Sequence, residues 1–301
     1  MKKFLSVLMA GAMLFGVLTL AGCGDTTTDT GEDTTTTEDT TTTAEFTTVT
    51  EGVLTMSTNA AFPPYEMTDD TGAVVGIDAE IAAAIAEKLG LELEILDMDF
   101  DGALAAPQSG KSDIVMAGVT VNEERQLVLD FSNTYANGVQ KVIVAEGSDI
   151  TMENLGEQQI GTQKGTTGNI LTTDEFGEDH VIAYDDAIAA VQALNNGQID
   201  CVVIDSAVAD NLVEANPGLT TLDTDYANEE YAIGVAKGNT ALLDAINTAL
   251  QELIDDGTVQ SIIDKYIPSD GAEADTAGAT DEAGATDEAG ATDGAEADTA
   301  A

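Results

Sequence analysis

The stretch Gly76-Ile77-Asp78-Ala79-Glu80-Ile81-Ala82-Ala83-Ala84-Ile85-Ala86-Glu87-Lys88-Leu89-Gly90-Leu91-Glu92-Leu93-Glu94-Ile95 carries two periodicities in succession. Apolar residues at 77, 81, 85 and 89 fall on one face of a helix, with Asp78 as its N-cap and Gly90 closing it, so the spacing predicts a helix over about 79–89. Leu91, Leu93 and Ile95 then alternate with Glu92 and Glu94, the pattern of a strand buried on one face. Working outward, strand patterns recur at 53–57, 114–116, 139–145, 160–162 and 199–204. Helical patterns recur at about 186–195 and 240–255, the latter with Leu242, Leu243, Ile246, Leu250, Leu253 and Ile254 on one side. Strands alternating with helices imply crossover units, a largely parallel sheet and an α/β fold.

Open sheets of this kind bind ligands beyond the carboxyl ends of their strands, so the loops leaving those ends are the candidates for a site. After 114–116 the chain reads Ala117-Gly118-Val119-Thr120-Val121-Asn122-Glu123-Glu124-Arg125, and Arg125 is the one arginine in the sequence. A lone Arg among lysines suits two-pronged recognition of a carboxylate. It equally suits an ion pair with Glu123 or Glu124, and composition leaves both open. After 160–162 comes Gln163-Lys164-Gly165-Thr166-Thr167-Gly168, whose hydroxyls and unhindered N–H groups form either an anion cradle or a plain turn. Asp205 comes directly after the apolar run at 199–204 and either caps the next helix or meets a cation in the crevice. Phe62, stiffened by Pro63 and Pro64, and Phe100 are each either core or a fixed aromatic platform.

Composition removes several classes. The 301 residues carry 56 Asp and Glu against 9 Lys and Arg, a net charge of −47 that excludes a nucleic-acid-binding surface. Cys23, Cys201 and His180 are too few for a zinc ribbon, a disulfide scaffold or a di-histidine metal centre, and no cofactor motif is present.

The ends read differently from the middle. Lys2-Lys3, an apolar run from Phe4 to Leu20 and Leu20-Ala21-Gly22-Cys23 resemble a bacterial lipoprotein signal, which makes residues 1–22 a signal peptide and Cys23 the lipidated start of the mature chain. Residues 23–50, rich in Thr, Asp and Glu, form a tether with an end-to-end distance of roughly 30 Å. Residues 269–301 repeat Gly-Ala-Thr-Asp-Glu-Ala without Leu, Ile or Val and read as an acidic disordered tail.

The blocks Phe62-Pro63-Pro64-Tyr65-Glu66, Phe100-Asp101-Gly102, Thr120-Val121-Asn122-Glu123-Glu124-Arg125, Gly165-Thr166-Thr167-Gly168 and Gly197-Gln198-Ile199-Asp200, in this order, resemble the bacterial family 3 extracellular solute-binding proteins, the polar amino acid receptors of ABC importers. The resemblance implies a two-lobed, type II periplasmic-binding-protein-like α/β fold. One lobe takes 51–138 and 230–268, the other 139–229. It implies that Arg125 pairs with a ligand α-carboxylate alongside N–H groups at Thr120 and Thr167. Asp205, the Gly118 carbonyl and the Thr120 hydroxyl would hold the α-ammonium, and Phe62 and Phe100 would sandwich the side chain. Asn59 stands where receptors for basic amino acids tend to carry Asp, and Gln163 and Ile204 are uncharged, so the expected ligand is an uncharged polar L-amino acid. The expected protein is no enzyme: a monomeric receptor, lipid-anchored on the outer face of the cell membrane, that hands its ligand to an ABC permease. A dehydratase of the cyclohexadienyl type and a ligand-sensing receptor subunit are the alternatives on the same fold.

Overall fold

The computed structural model describes residues 46–223 and 225–268. The signal segment, Cys23, the tether up to residue 45 and the repeat tail lie outside the described residues. The chain opens with β1 (Val53–Thr58), a small antiparallel sheet of β2 (Ala61–Phe62), β3 (Glu66–Thr68) and β4 (Val74–Val75), then α1 (Ile77–Leu89) and β5 (Glu92–Asp97). Next come α2 (Phe100–Ala105), β6 (Ile114–Val115), the short α3 (Glu123–Gln126) and the 17-residue β7 (Leu129–Ala145). Beyond a 3-10 turn at Met152–Glu157 lie β8 (Ile160–Gln163), α4 (Thr167–Phe176), β9 (Val181–Tyr184), α5 (Ala187–Asn195), β10 (Cys201–Asp205), α6 (Ser206–Ala215) and β11 (Leu219–Thr221). β12 (Ala227–Ala236), α7 (Thr240–Asp255) and α8 (Thr258–Tyr266) come last.

Nine strands form one sheet in the order β5-β1-β6-β12-β7-β10-β8-β9, with β11 also paired to β7. Pairing is parallel at both ends: β1 with β5 and β6, and β8 with β10 and β9. Through the middle β7 and β12 run antiparallel to each other and to β10 and β6. β7 pairs with β12 from Leu129 to Gln140 and with β10 from Gln140 to Val144, so it passes from one half of the sheet to the other at Gln140. β12 slips register between Tyr231 and Gly234 in the same region, an irregularity that adds local twist where the halves join.

The helix at 240–255 falls where its apolar stripe predicts, and α5 starts after Asp186, whose carboxylate accepts the Ala189 N–H at 2.7 Å. α1 departs from expectation at its start. Gly76 occupies the cap position, turning at φ 131 against the Tyr65 and Pro64 carbonyls, while Asp78 sits fully buried in the first turn and accepts the Gly118 N–H at 2.9 Å. The folded part also reaches back past Glu51: the Phe46 side chain packs on the core, and the Val49 N–H donates to Asp113 at 2.6 Å.

Leu54, Met56, Ile81, Ile85, Ile114, Leu242 and Ile246 are wholly buried between the sheet and helices α1 and α7. Each contributes about 1.5–3 kcal/mol by leaving water, and this burial dominates over surface pairs such as Lys88–Glu252 at 3.0 Å, which is partly exposed. The Cys201 thiol is buried in the other half, and desolvation, with Asp200 nearby, pushes it up to about 12. Among the described residues no helix is long and apolar enough to cross a membrane.

Candidate functional site

The strand ends converge on a cleft with about 380 Å³ of empty space, part of it open to solvent. The residue after β1 is Asn59, the end of β2 and the start of β3 deliver Phe62 and Glu66, and the first residue of α2 is Phe100, held by Asp99 accepting the Gly102 N–H. The loop after β6 supplies Gly118 and Thr120, and α3, capped by Asn122 accepting the Arg125 N–H at 2.8 Å, supplies Arg125. From the other half of the sheet come Gln163, Thr166 and Thr167 after β8, and Ile204 at the end of β10. Gln140, Glu229 and Tyr231 from the two crossover strands complete the wall.

Gly118 has φ 53, and a Cβ there would stand 2.8 Å from the Phe62 ring, so only glycine lets the loop pass under that aromatic face. Arg125 is 6% exposed. Its Nη1 donates to the Thr120 carbonyl at 2.9 Å and its Nη2 to the Gly165 carbonyl at 3.2 Å, while the guanidinium lies 5.3 Å from the Phe100 ring centroid. Its ion pair with Glu123 or Glu124 does not form, because α3 turns the guanidinium inward, away from the exposed carboxylates beside it. A buried cation served only by carbonyls and a ring face retains strong affinity for an anion.

Further contacts join the loops of the two sheet halves. The Thr120 and Thr167 hydroxyls lie 2.7 Å apart, Gln163 Nε2 donates to Asn59 Oδ1 at 2.8 Å, and Lys164 pairs with Asp101 at 2.6 Å.

Eight of the nine ligand-binding residues expected from the sequence line this one cavity; the ninth, Asp205, does not. Asp205 is 0% exposed, caps α6 by accepting the Ala207 and Val208 N–H groups at 2.9 and 3.2 Å, and accepts the Tyr231 hydroxyl at 2.9 Å. Burial, with the Glu229 charge next, pushes its carboxyl up to about 7. Glu229 stands in the wall instead, accepting the Thr120 hydroxyl at 2.6 Å and Gln140 Nε2 at 2.5 Å.

Glu66 is a site residue that the sequence does not single out. It is 0% exposed, lines the cavity, and neither carboxylate oxygen has a hydrogen-bond partner. Burial above all, and then the neighbouring Asp78, holds its carboxyl well above the usual range. Gln140 Oε1 and Gln163 Oε1 are likewise buried without a donor. Glu66 ends the block Phe-Pro-Pro-Tyr-Glu, but nothing local in it distinguishes an inward carboxylate from a solvated one.

The sequence model of the bacterial extracellular solute-binding proteins, family 3, matches residues 54–269. A protein named "Probable histidine-binding protein" from Neisseria gonorrhoeae is 29% identical over 91% of this chain and 98% of its own. The L-cystine-binding protein TcyJ of Escherichia coli is 30% identical over 73% of this chain and 84% of its own. A solved structure titled "An ancestral arginine-binding protein bound to glutamine" superposes with a TM-score of 0.70 at 39% identity, covering 73% of this chain and all of that one. The two-lobed α/β architecture is thus that of amino acid-binding proteins, and the relatives are named for the amino acids they bind. The chain belongs to the bacterial extracellular solute-binding proteins, family 3.

Proposed function

We propose that this protein is an extracytoplasmic receptor that clasps a polar L-amino acid between two lobes and delivers it to an ABC import permease. The observation that carries the reading is the buried Arg125, a cation without a carboxylate partner in the wall of a cavity between the halves of the sheet. The ligand α-carboxylate pairs with Arg125 and with N–H groups at Thr120 and Thr167. The α-ammonium takes the Gly118 carbonyl, the Thr120 hydroxyl and the Glu229 carboxylate in the wall, with Asp205 behind Tyr231 out of its reach. Phe62 and Phe100 flank the side chain.

At the side-chain end the donorless acceptors Glu66 Oε1 and Oε2, Gln140 Oε1 and Gln163 Oε1 call for a ligand rich in N–H groups. A carboxamide supplies them without charge, as expected of the sequence; a guanidinium, the group that relatives named for arginine bind, supplies more. The lobes are 51–138 with 230–268, and 139–229, and the crossing of β7 at Gln140 and the slip of β12 at Tyr231 support a hinge there. A lipid on Cys23 holds the monomeric receptor to the outer face of the membrane.

Calorimetric titration of the chain, unfolded and refolded to strip carried ligand, against the common L-amino acids and L-cystine tests the reading. Micromolar or tighter binding to one or a few is expected; silence across the panel from folded protein overturns it.

A further inference from the structure

Beneath the side-chain end of the cavity two carboxyl groups meet without a cation between them. Glu66 on β3 and Asp78 on α1 are both 0% exposed and adjoin each other. Asp78 Oδ2 accepts the Gly118 N–H at 2.9 Å, but Asp78 Oδ1 and both Glu66 oxygens have no partner. The groups facing this pair are Tyr65 from the β2–β3 turn, Asp97 from β5, Tyr135 from β7 and Asp205 from β10, all hydroxyls or acids. Arg125, the buried cation of the cavity, is engaged with the Thr120 and Gly165 carbonyls.

Two carboxylates in contact at low dielectric cannot both ionise without a cation beside them. We propose that Glu66 and Asp78 hold one proton between them, kept when the bound amino acid has an uncharged side chain and released to solvent when the side chain is a cation, so that the pair sets which side chains the cavity accepts. The inference rests on the receptor reading above. Asp78 retains the charge because the Gly118 N–H serves its Oδ2, and Glu66, which no donor serves and whose carboxyl burial and the neighbouring Asp78 hold well above the usual range, retains the proton. Neutral Glu66 donates its O–H to Asp78 and turns its carbonyl oxygen to the cavity, where a carboxamide N–H can donate. A guanidinium instead displaces the proton and meets an ionised Glu66. The net charge of pair plus side chain is −1 in both cases, so one buried site can take either ligand without accumulating charge.

The test is calorimetry of L-arginine and L-glutamine binding to the full chain from about pH 6.5 to about pH 8.5, in buffers of different ionisation heat. Arginine is expected to release about one proton more than glutamine, and the ratio of the two affinities to rise about tenfold per pH unit while the free pair holds its proton. Contributions from the α-carboxylate and α-ammonium are common to both ligands and cancel in the ratio. In Glu66→Gln the difference in proton release disappears and arginine loses more affinity than glutamine. Equal proton release for the two ligands, a flat ratio, or no arginine binding at any pH alongside glutamine binding overturns the proposal. If arginine alone binds, its pH slope must flatten in Glu66→Gln. Failure of every amino acid to bind overturns the receptor reading instead.

Discussion

Arg125 Nη2 donates to the carbonyl of Gly165 at 3.2 Å, tying the α3 turn of one half of the fold to the turn that opens α4 in the other. The same guanidinium grips Thr120 of its own loop and lies over Phe100. On the proposed reading, anion recognition and one of the contacts across the cleft meet in a single side chain, and a ligand carboxylate joining it would stabilise the closed state more than the open one.

Arg125→Ala is expected to weaken amino acid binding by about 3–5 kcal/mol, because the ligand carboxylate would be buried unpaired. Arg125→Lys should recover only part of that, since an ammonium cannot span Thr120, Gly165 and a carboxylate with planar geometry. Titration calorimetry reads both, and near wild-type affinity in the alanine variant would remove Arg125 from the site.

Gly118→Ala places a methyl 2.8 Å from the Phe62 ring at a positive φ. The left-handed backbone alone costs about 1–2 kcal/mol, and the displaced ring disturbs the platform. A lowered melting temperature with a larger relative loss of affinity is expected. Unchanged binding would show that the loop does not need its close approach.

The free protein should lose stability as pH rises. Asp205 is held at about 7 in the fold against about 3.9 when unfolded, so its contribution is complete below about pH 4 and disappears as pH climbs through about 7. Asp78, held at about 6, acts in the same direction over a narrower window. Denaturant melts at about pH 5.5 and about pH 7.5 should show the loss, and Asp205→Asn should reduce it; a slope the variant leaves untouched would contradict the assignment.

Lys164→Ala removes a cleft-spanning ion pair whose side chains are 65% and 45% exposed. A change of less than about 1 kcal/mol in ligand affinity is expected, vanishing in high salt. A larger effect, read by the same calorimetry, would mean that the Lys164–Asp101 contact latches the closed form.

Much of the fold is legible locally. The α1–β5 stretch, the helix at 240–255 and the strand starts at 53, 114 and 160 arise from spacings of 3.6 and 2, which depend on near neighbours in the chain. The first part of β7 is not legible, because Asp130-Phe131-Ser132-Asn133-Thr134 alternates poorly and becomes a strand by pairing with β12. α4 and α6 begin at the capping residues Thr166 and Asp205, whose side chains could as well have served a ligand, so their sequence context alone does not place the helix starts.

The sequence by itself determined the alternation of strands and helices and Arg125 as a side chain worth following, because composition and periodicity survive without knowledge of who meets whom. Only the tertiary structure decided that Asp205 lies behind Tyr231 while Glu229 faces the cavity, and that Glu66 and Asp78, on separate elements, share one buried corner. Those relations depend on sheet register and on the path of two crossover strands, and such long-range contacts leave no periodic trace in the segments that make them.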